Sequence, residues 1–166
     1  MASNFSDVIR YFQQIASEHI QIGHCESEKH FYRFELEEVL TGLKKMNYPA
    51  LILEGYRYSF SDARSDNVIK RRSCAFMLVD HLQDIGDFQV MHEIWDSQER
   101  ICDDILCRIK ADKFNATAKA VRDFDLNGVE VVLIANEQDK NYGIRCTFTI
   151  SSPQPMGMDP DKWNFI

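Results

Sequence analysis

Residues 88–110 read FQVMHEIWDSQERICDDILCRIK and form the most periodic stretch of the chain. Its apolar side chains recur in steps of three and four residues, which places them on one stripe of an α-helix. Burial of such a stripe contributes roughly 10–20 kcal/mol in gross terms, so the helix requires an apolar surface beneath it. The strand-like segments on either side predict that this surface is a β-sheet. The stripe consists of Met91, Ile94, Trp95, Ile101, Cys102, Ile105 and Ile109.

The opposite face of this helix is charged. Asp96 precedes Arg100 by one turn, and Asp104 precedes Arg108 in the same way, which is the favourable order for an acid and a base on a helix. We therefore expect this face to meet solvent. Asp87 directly precedes the stretch and is the predicted N-cap.

The composition is that of one globular domain, which we expect to span residues 1–166. The chain is 45% hydrophobic, enough for a substantial core. Its net charge of −7 argues against general binding to nucleic acid or to an anionic membrane, because both require a positive surface. No stretch has the apolar length of a membrane span, and residues 1–10 lack the pattern of a secretion signal. We expect a protein of the reducing cytoplasm.

Residues 1–46 are predicted to be a helical N-terminal segment. Apolar residues from Phe5 to Ala16 recur at helical spacing, with Ser3 or Asn4 as the N-cap. A second helix is predicted to end near Lys44 and Lys45, whose charges suit the negative end of the helix dipole. Its apolar positions are Phe31, Phe34, Leu36, Val39, Leu40 and Leu43.

Strand patterns follow on both sides of the central helix. Residues 50–56 predict a strand, with an unbroken apolar run at Leu51, Ile52 and Leu53. Residues 57–72 are polar and predict a long loop, and residues 74–79 are apolar on both faces and predict a strand covered twice. Three more strands are predicted over 121–126, 129–135 and 142–151, the first two joined by a hairpin turn at Asn127-Gly128. The fold class is therefore α+β: an antiparallel sheet of about four to five strands packed against a long central helix, with N-terminal helices and an extended C-terminal arm over 152–166.

The sequence patterns around most of the cysteines predict structural roles. Cys74, Cys102 and Cys146 fall on apolar patterns and are expected in the core, whereas Cys25 lies in a polar segment and is expected to react with thiol reagents. His24, Cys25 and His30 could supply soft metal ligands, but their spacing matches no standard site. Whether this cluster binds metal stays open, and we predict no metal or other cofactor.

One motif resembles a calcium loop. Residues 123–128 read DFDLNG, the first half of an EF-hand pattern, yet position twelve is Ile134 rather than a bidentate carboxylate. Acidic residues at alternate positions of a β-strand would give the same sequence pattern. The chain also lacks a phosphate-binding glycine loop, a nucleophile elbow and a zinc-protease helix, so we predict no catalytic residues and a protein that is not an enzyme.

Two groups of side chains are candidate partner contacts. The first is basic and lies in the predicted loop, where it could meet an acidic partner. The second consists of large apolar residues on the C-terminal arm, which docks either onto its own domain or onto a neighbour. These candidates are Arg57, Arg64, Lys70, Arg71 and Arg72 in the loop, and Trp163 and Phe165 on the arm.

The order of elements over 47–153 resembles a family of phage proteins. The residues that carry the resemblance are YPALILEG at 48–55, Asp62 and Asp66 in the following loop, the strand 75–79, the stripe of Ile94, Ile101 and Ile105, and the last strand running into Ser151-Ser152-Pro153. Together they resemble the tail terminator or tail completion proteins of tailed bacteriophages and prophages.

The resemblance implies a structural protein without catalytic activity. Such a protein forms a ring, commonly a hexamer, that caps the tail tube and contacts other tail or neck proteins. It is found in the bacterial cytoplasm during assembly and later in the virion tail. On this basis the segment 57–72 would face the tube or lumen, and one sheet face would meet the adjacent subunit.

Two alternatives remain open from the sequence. One is a cytoplasmic α+β domain that binds a small ligand or is an enzyme of unknown reaction, with a pocket between helix and sheet. The other is a different structural protein of a phage or mobile element, which would assemble in the same manner at another position.

Overall fold

The computed structural model describes residues 4–33, 46–62, 68–115 and 118–164. Within these residues the chain is an α+β protein with two α-helices and one mixed sheet of six strands. The elements in chain order are α1 (Phe5–Glu18), β1 (Phe31–Arg33), β2 (Ala50–Leu53), β3 (Arg57–Ser61), β4 (Ile69–His81), α2 (Phe88–Asp112), β5 (Phe124–Asn136) and β6 (Asn141–Pro153), with short 3-10 helices at Lys119–Val121 and Pro160–Lys162.

The sheet is built around β4 and β6. The strand order is β1-β2-β4-β6-β5, and β3 pairs with the beginning of β4 on the same side as β2. Strands β4 and β6 pair along their entire lengths, from Ile69 opposite Pro153 to His81 opposite Asn141. The described sheet therefore has β5 at one edge, and β1 and β3 at the other.

Both helices begin as the sequence predicts. Asn4 caps α1 through a complete capping box with Asp7, and the Asp87 side chain accepts a hydrogen bond from the Val90 backbone N–H at the start of α2. The predicted stripe of α2 lies against the sheet, where Ile101, Cys102, Ile105 and Ile109 are buried. The sequence-based prediction of this helix is confirmed.

The main core lies between the helices and one face of the sheet, which we call the helix-side face. Phe12 of α1 contacts Phe76 of β4 and Phe148 of β6, with ring centroids 5.6 and 5.8 Å apart. Cys74, Cys102 and Cys146 are buried, as predicted. All three cysteines act as small apolar side chains in this layer.

The opposite face of the sheet, which we call the outer face, has a smaller apolar cluster. Ala50 and Ile52 of β2 pack there with Val79 of β4, Tyr32 and Met46. Strand β4 is therefore apolar on both faces around residues 75–79, as the sequence predicts. Toward the other end of the sheet the outer face becomes polar.

The prediction of an antiparallel sheet with a second helix from Phe31 is wrong in two respects. Phe31 begins β1 instead of a helix, and β1 pairs with β2 in parallel, so the sheet is mixed. This segment forms a strand rather than a helix because it pairs with Leu51 and Ile52 of the buried strand β2. The remaining predicted helix positions, 34–43, lie outside the described residues.

The prediction of one long loop over 57–72 is also wrong. Arg57–Ser61 forms β3, and β4 already begins at Ile69, so the two strands make a hairpin. Backbone pairing with β4 satisfies the polar main chain of this segment whatever its side chains are. The hairpin projects beyond β2 along the sheet edge.

The Asn127-Gly128 dipeptide does not form a hairpin turn. β5 continues through it, and the pairing with β6 shifts between Asp125 and Glu130, which marks a bulge with Gly128 at φ +85°. The hairpin turn between β5 and β6 lies at residues 137–140 instead. The C-terminal boundary also moves, because β6 includes Ser152 and Pro153, two residues assigned to the arm from sequence.

Candidate functional site

The edge formed by β5 is long and apolar. Among the described residues this strand of 13 residues pairs only with β6, which leaves its other side without a neighbouring strand. Val131, Val132 and Leu133 are 41%, 42% and 60% exposed. Its charged residues are Asp125 and Glu130, and it has no lysine, arginine or proline. Those three residue types are common protectors of sheet edges.

The side chains of β5 divide between the two faces. Val131 and Leu133 lie opposite Cys146 and Ile144 of β6, both of which face the helices. Asp125 and Glu130 lie opposite Thr149 and Thr147 on the outer face. The β5 edge therefore carries Val131 and Leu133 on the helix-side face, and the two carboxylates together with Val132, which lies opposite Arg145, on the outer face.

The β3 edge, on the other side of the sheet, is exposed along its whole length. Tyr58 pairs with Arg72, and Phe60 pairs with Lys70, so these four side chains share the helix-side face. The Tyr58 and Phe60 rings are 5.7 Å apart in an edge-to-face arrangement and about half exposed. They form an aromatic patch beyond the region that the helices cover.

The outer face of this edge is basic. Arg57 lies opposite Ser73, and Arg71 lies opposite Ser59, which places both arginines on the outer face. Both are exposed. The row through Arg57 continues across the sheet to Ser73, Thr149 and Asp125. A basic residue and an acidic residue thus end the same row at opposite edges.

Lys70 belongs to the aromatic patch rather than to the basic outer face. Its Nζ lies 4.1 Å from the Tyr58 ring centroid and 5.9 Å from that of Phe60, both within cation–π range. Burial, followed by the nearby Arg72 charge, holds the Lys70 pKa below its ordinary value. The ammonium group thus contacts both exposed rings at this edge.

The structure removes Arg72 from the candidate partner contacts. Its side chain is 1% exposed, and its Nη1 donates to the Ser152 hydroxyl at 3.0 Å. The guanidinium also lies over the Tyr56 ring. Strand alternation puts Arg72 on the helix-side face, whereas Arg71 is turned outward. Arg64 lies outside the described residues.

The arm residues that can be placed are exposed. Trp163 follows the second 3-10 helix and is 62% exposed, and Met156 and Met158 are exposed to a similar extent. Gln154 N–H donates to the Val68 carbonyl at 2.8 Å, which is where the arm leaves the sheet. Phe165 lies outside the described residues.

A polar cleft of about 490 Å³ lies on the outer face between the two edges. Its walls include Arg57, Ser73 and Thr149, and Arg145 contributes a guanidinium bound to the Glu54 carboxylate by two hydrogen bonds. The sequence patterns do not predict this ion pair, because Arg145 and Glu54 are 91 positions apart in the chain.

The His24, Cys25 and His30 cluster does not converge on one point. His24 Nδ1 accepts a hydrogen bond from the His30 backbone N–H at 3.2 Å, and His30 Nδ1 is hydrogen-bonded to the Pro49 carbonyl at 2.8 Å. Cys25 is exposed, as predicted, and its thiol contacts the Ser27 hydroxyl. Within the described residues no three His, Cys, Asp or Glu side chains are grouped to hold a metal ion.

The residues resembling a calcium loop instead shape the bulge. Both Asp125 carboxylate oxygens accept hydrogen bonds from Asn127, one from its backbone N–H and one from its side-chain amide. This local turn bends the start of β5 and directs Gly128 toward the outer face.

Neither helix in the described part of the chain has both the length and the apolar character that crossing a membrane requires. No family model matches the chain, and comparisons with curated proteins and with solved structures gave no significant match. The geometry of the two sheet edges is therefore the main structural guide to function.

Proposed function

We propose that this chain is a structural assembly protein that forms a closed ring with copies of itself, and that it acts as a tail terminator or tail completion protein of a phage or prophage. The observation that carries the proposal is the pair of exposed sheet edges, β5 and β3, each with apolar side chains on one face and charges on the other.

An apolar edge strand of this length requires a partner. In the described part of the chain no strand pairs with the outward N–H and C=O groups of β5, which form a template for another strand. Proteins that avoid such pairing often place lysine, proline, bulges or very short strands at the edge. β5 has 13 residues without lysine or proline, and its protection is confined to one bulge and the carboxylates of Asp125 and Glu130. The run Val-Glu-Val-Val-Leu-Ile at 129–134 would also aggregate easily if left uncovered.

Two different edges support a ring rather than a twofold dimer. A contact between unlike surfaces is heterologous, and it closes into a ring when the rotation between neighbours divides a full turn. β3 and β5 differ in length, in charge and in aromatic content. The resemblance over residues 47–153 adds the role at the end of a phage tail, with six copies as the common number.

The first experiment measures the assembly state of the full chain. Size-exclusion chromatography with light scattering, together with native mass spectrometry, should show one closed oligomer of several copies, and negative-stain images should show rings. A chain that stays monomeric across the micromolar range, and that a small metabolite stabilises against heat, would instead favour the ligand-binding alternative.

The phage role has its own test. Genes for tail tube, sheath or neck proteins should lie next to the gene for this chain, and the purified ring should cap isolated tail tubes in electron micrographs. If the chain forms rings that bind no tail component and its gene neighbours are unrelated to phage, the assembly proposal stands and the tail assignment fails.

A further inference from the structure

We infer that β3 of one copy pairs antiparallel with β5 of the next copy, so that one sheet continues from subunit to subunit. This inference rests on the proposed function and specifies the contact that builds the ring. It follows from strand direction, from the apolar side chains on the helix-side face, and from the charges on the outer face.

Strand direction favours this pairing. β3, β4, β6 and β5 are neighbours in that order, and each strand is antiparallel to the next. β3 therefore runs opposite to β5. A rotation about an axis roughly parallel to the strands leaves the direction of each strand and the orientation of the faces unchanged. A neighbouring copy placed by such a rotation presents its β3 to β5 in antiparallel orientation, with the helix-side faces aligned.

The helix-side faces of the two edges match in apolar character. β3 contributes Tyr58 and Phe60, which are 57% and 48% exposed, and β5 contributes Val131 and Leu133. Aromatic and β-branched side chains are favourable partners across antiparallel strands. The contact would remove from solvent two groups of large apolar side chains that one copy alone leaves exposed.

The outer faces match in charge. Arg57 and Arg71 lie at the β3 edge, and Asp125 and Glu130 lie along β5. Pairing two β3 edges would gather arginines on one face, and pairing two β5 edges would gather carboxylates on a strand without a cation. Only the pairing of β3 with β5 brings opposite charges together. The charges therefore favour this head-to-tail contact over the twofold β3–β3 and β5–β5 contacts.

One register brings a favourable contact together on each face. With Ser59 opposite Glu130 of the next copy, Tyr58 lies opposite Val131, and Arg57 lies diagonal to Glu130. Side chains diagonal across neighbouring strands are within reach of a long arginine. In this register Arg57, Tyr58 and Ser59 lie opposite the regular part of β5, and Phe60 and Ser61 lie opposite Val129 and Gly128 in the bulge.

Site-directed cross-linking of the full chain tests the register. In a background with Cys25→Ser and Cys107→Ser, which removes the exposed thiols, the variants Ser59→Cys and Glu130→Cys are prepared separately and then together. A short bis-maleimide should link the mixture of the two single variants into dimers and should link the double variant into a ladder up to the full ring. Ser17→Cys, an exposed position on α1, serves as the matched control and should not cross-link with Glu130→Cys.

Charge reversal tests the same contact without cross-linking. Arg57→Glu and Glu130→Arg should each raise the dissociation constant of the ring about tenfold or more, and the double variant should recover most of the loss. A melting temperature measured for each variant separates loss of assembly from loss of folding. Leu133→Lys should also block assembly, whereas Ile20→Lys, at a residue 96% exposed and away from both edges, should not.

The outcomes distinguish the two proposals. Rings with Ser59–Glu130 cross-links support both. Rings that form without these cross-links, or cross-links between two Glu130→Cys chains, overturn the β3–β5 contact and leave the assembly function in place. A chain that is folded and strictly monomeric overturns both.

Discussion

The Arg145 guanidinium binds the Glu54 carboxylate through two hydrogen bonds, Nε to Oε1 at 2.6 Å and Nη2 to Oε2 at 2.7 Å. Arg145 lies on β6 and Glu54 directly follows β2, so the ion pair spans β4, which separates these two strands. It fixes the point at which the chain leaves β2 and enters β3. The ion pair therefore links a residue of β6 to the segment between β2 and β3.

Replacing Arg145 tests this connection. Arg145→Ala should lower the free energy of unfolding by about 1 kcal/mol, a value kept small because the side chain is partly exposed and screened by solvent. Arg145→Lys should recover only part of the loss, since lysine lacks the planar fork that binds both carboxylate oxygens. Urea unfolding monitored by circular dichroism measures both. If Arg145→Ala leaves the free energy of unfolding unchanged, the ion pair does not hold the β2–β3 connection.

Gly143 is predicted to tolerate no side chain. A Cβ at this position would lie 1.9 Å from the Leu78 carbonyl oxygen, a backbone atom in the neighbouring strand. Gly143→Ala should therefore destabilise the protein by about 3 kcal/mol, at the upper end for an overpacked site. Gly157→Ala is the matched control, because nothing lies within 4 Å of a Cβ there. Thermal melts of both variants give the comparison, and equal melting temperatures would contradict it.

The buried side-chain amide of Gln98 is predicted to lower the free energy of unfolding of the protein. Its side chain is 1% exposed on the buried stripe of α2, and neither amide atom has a hydrogen-bond partner among the described residues. A buried amide without partners costs about 1–3 kcal/mol. Gln98→Met, which keeps the length and removes the polar atoms, should raise the unfolding free energy by about 1 kcal/mol.

The control for this site is Gln98→Ala, which also removes the polar atoms but leaves a cavity. It should be less stable than the methionine variant by about 2 kcal/mol or more. Chemical denaturation with both variants is the measurement. A destabilised Gln98→Met would mean that the amide binds an internal water molecule or another group in the native protein.

His24 should make stability depend on pH. Burial, followed by the nearby His30 and Lys29, holds its pKa below the ordinary value of 6.5. The unfolded chain then binds a proton more readily than the folded chain, so this contribution to stability is complete above about pH 6.5 and is lost as the pH falls through the folded-state pKa. NMR titration of the His24 ring should give the lowered pKa directly.

A variant isolates this contribution. His24→Gln keeps an acceptor for the His30 backbone N–H and removes the titrating ring. Its unfolding free energy should fall less than that of the parent chain between pH 7 and the folded-state pKa. Identical pH profiles for the two proteins would show that His24 has the same pKa in the folded and unfolded states.

The proposed strand pairing would bring the exposed groups of this chain into one interface. The aromatic patch with Lys70, the arginines of the outer face and the apolar run of β5 lie at opposite edges of one sheet. In a single copy they are unrelated surfaces. In the proposed ring each would meet its counterpart on the next copy.

The sequence by itself determined the elements whose signals are local. The stripe of α2 with its Asp87 cap, the amphipathic α1 with Asn4, the last strand β6 and the burial of three cysteines all follow from patterns over one short stretch. Such signals persist in the folded protein because the apolar face of each element needs a cover, and the nearest apolar face supplies it.

Only the tertiary structure decided how these elements pair and which side chains reach the surface. Phe31 belongs to a parallel strand because β2 offers it an edge, Gly128 is in a bulge because β6 holds β5 on both sides of it, and Arg72 is buried because alternation along β4 turns it inward. Each outcome depends on hydrogen bonds between residues far apart in the chain. Local sequence patterns do not encode that register, and the candidate assembly edges exist only once it has formed.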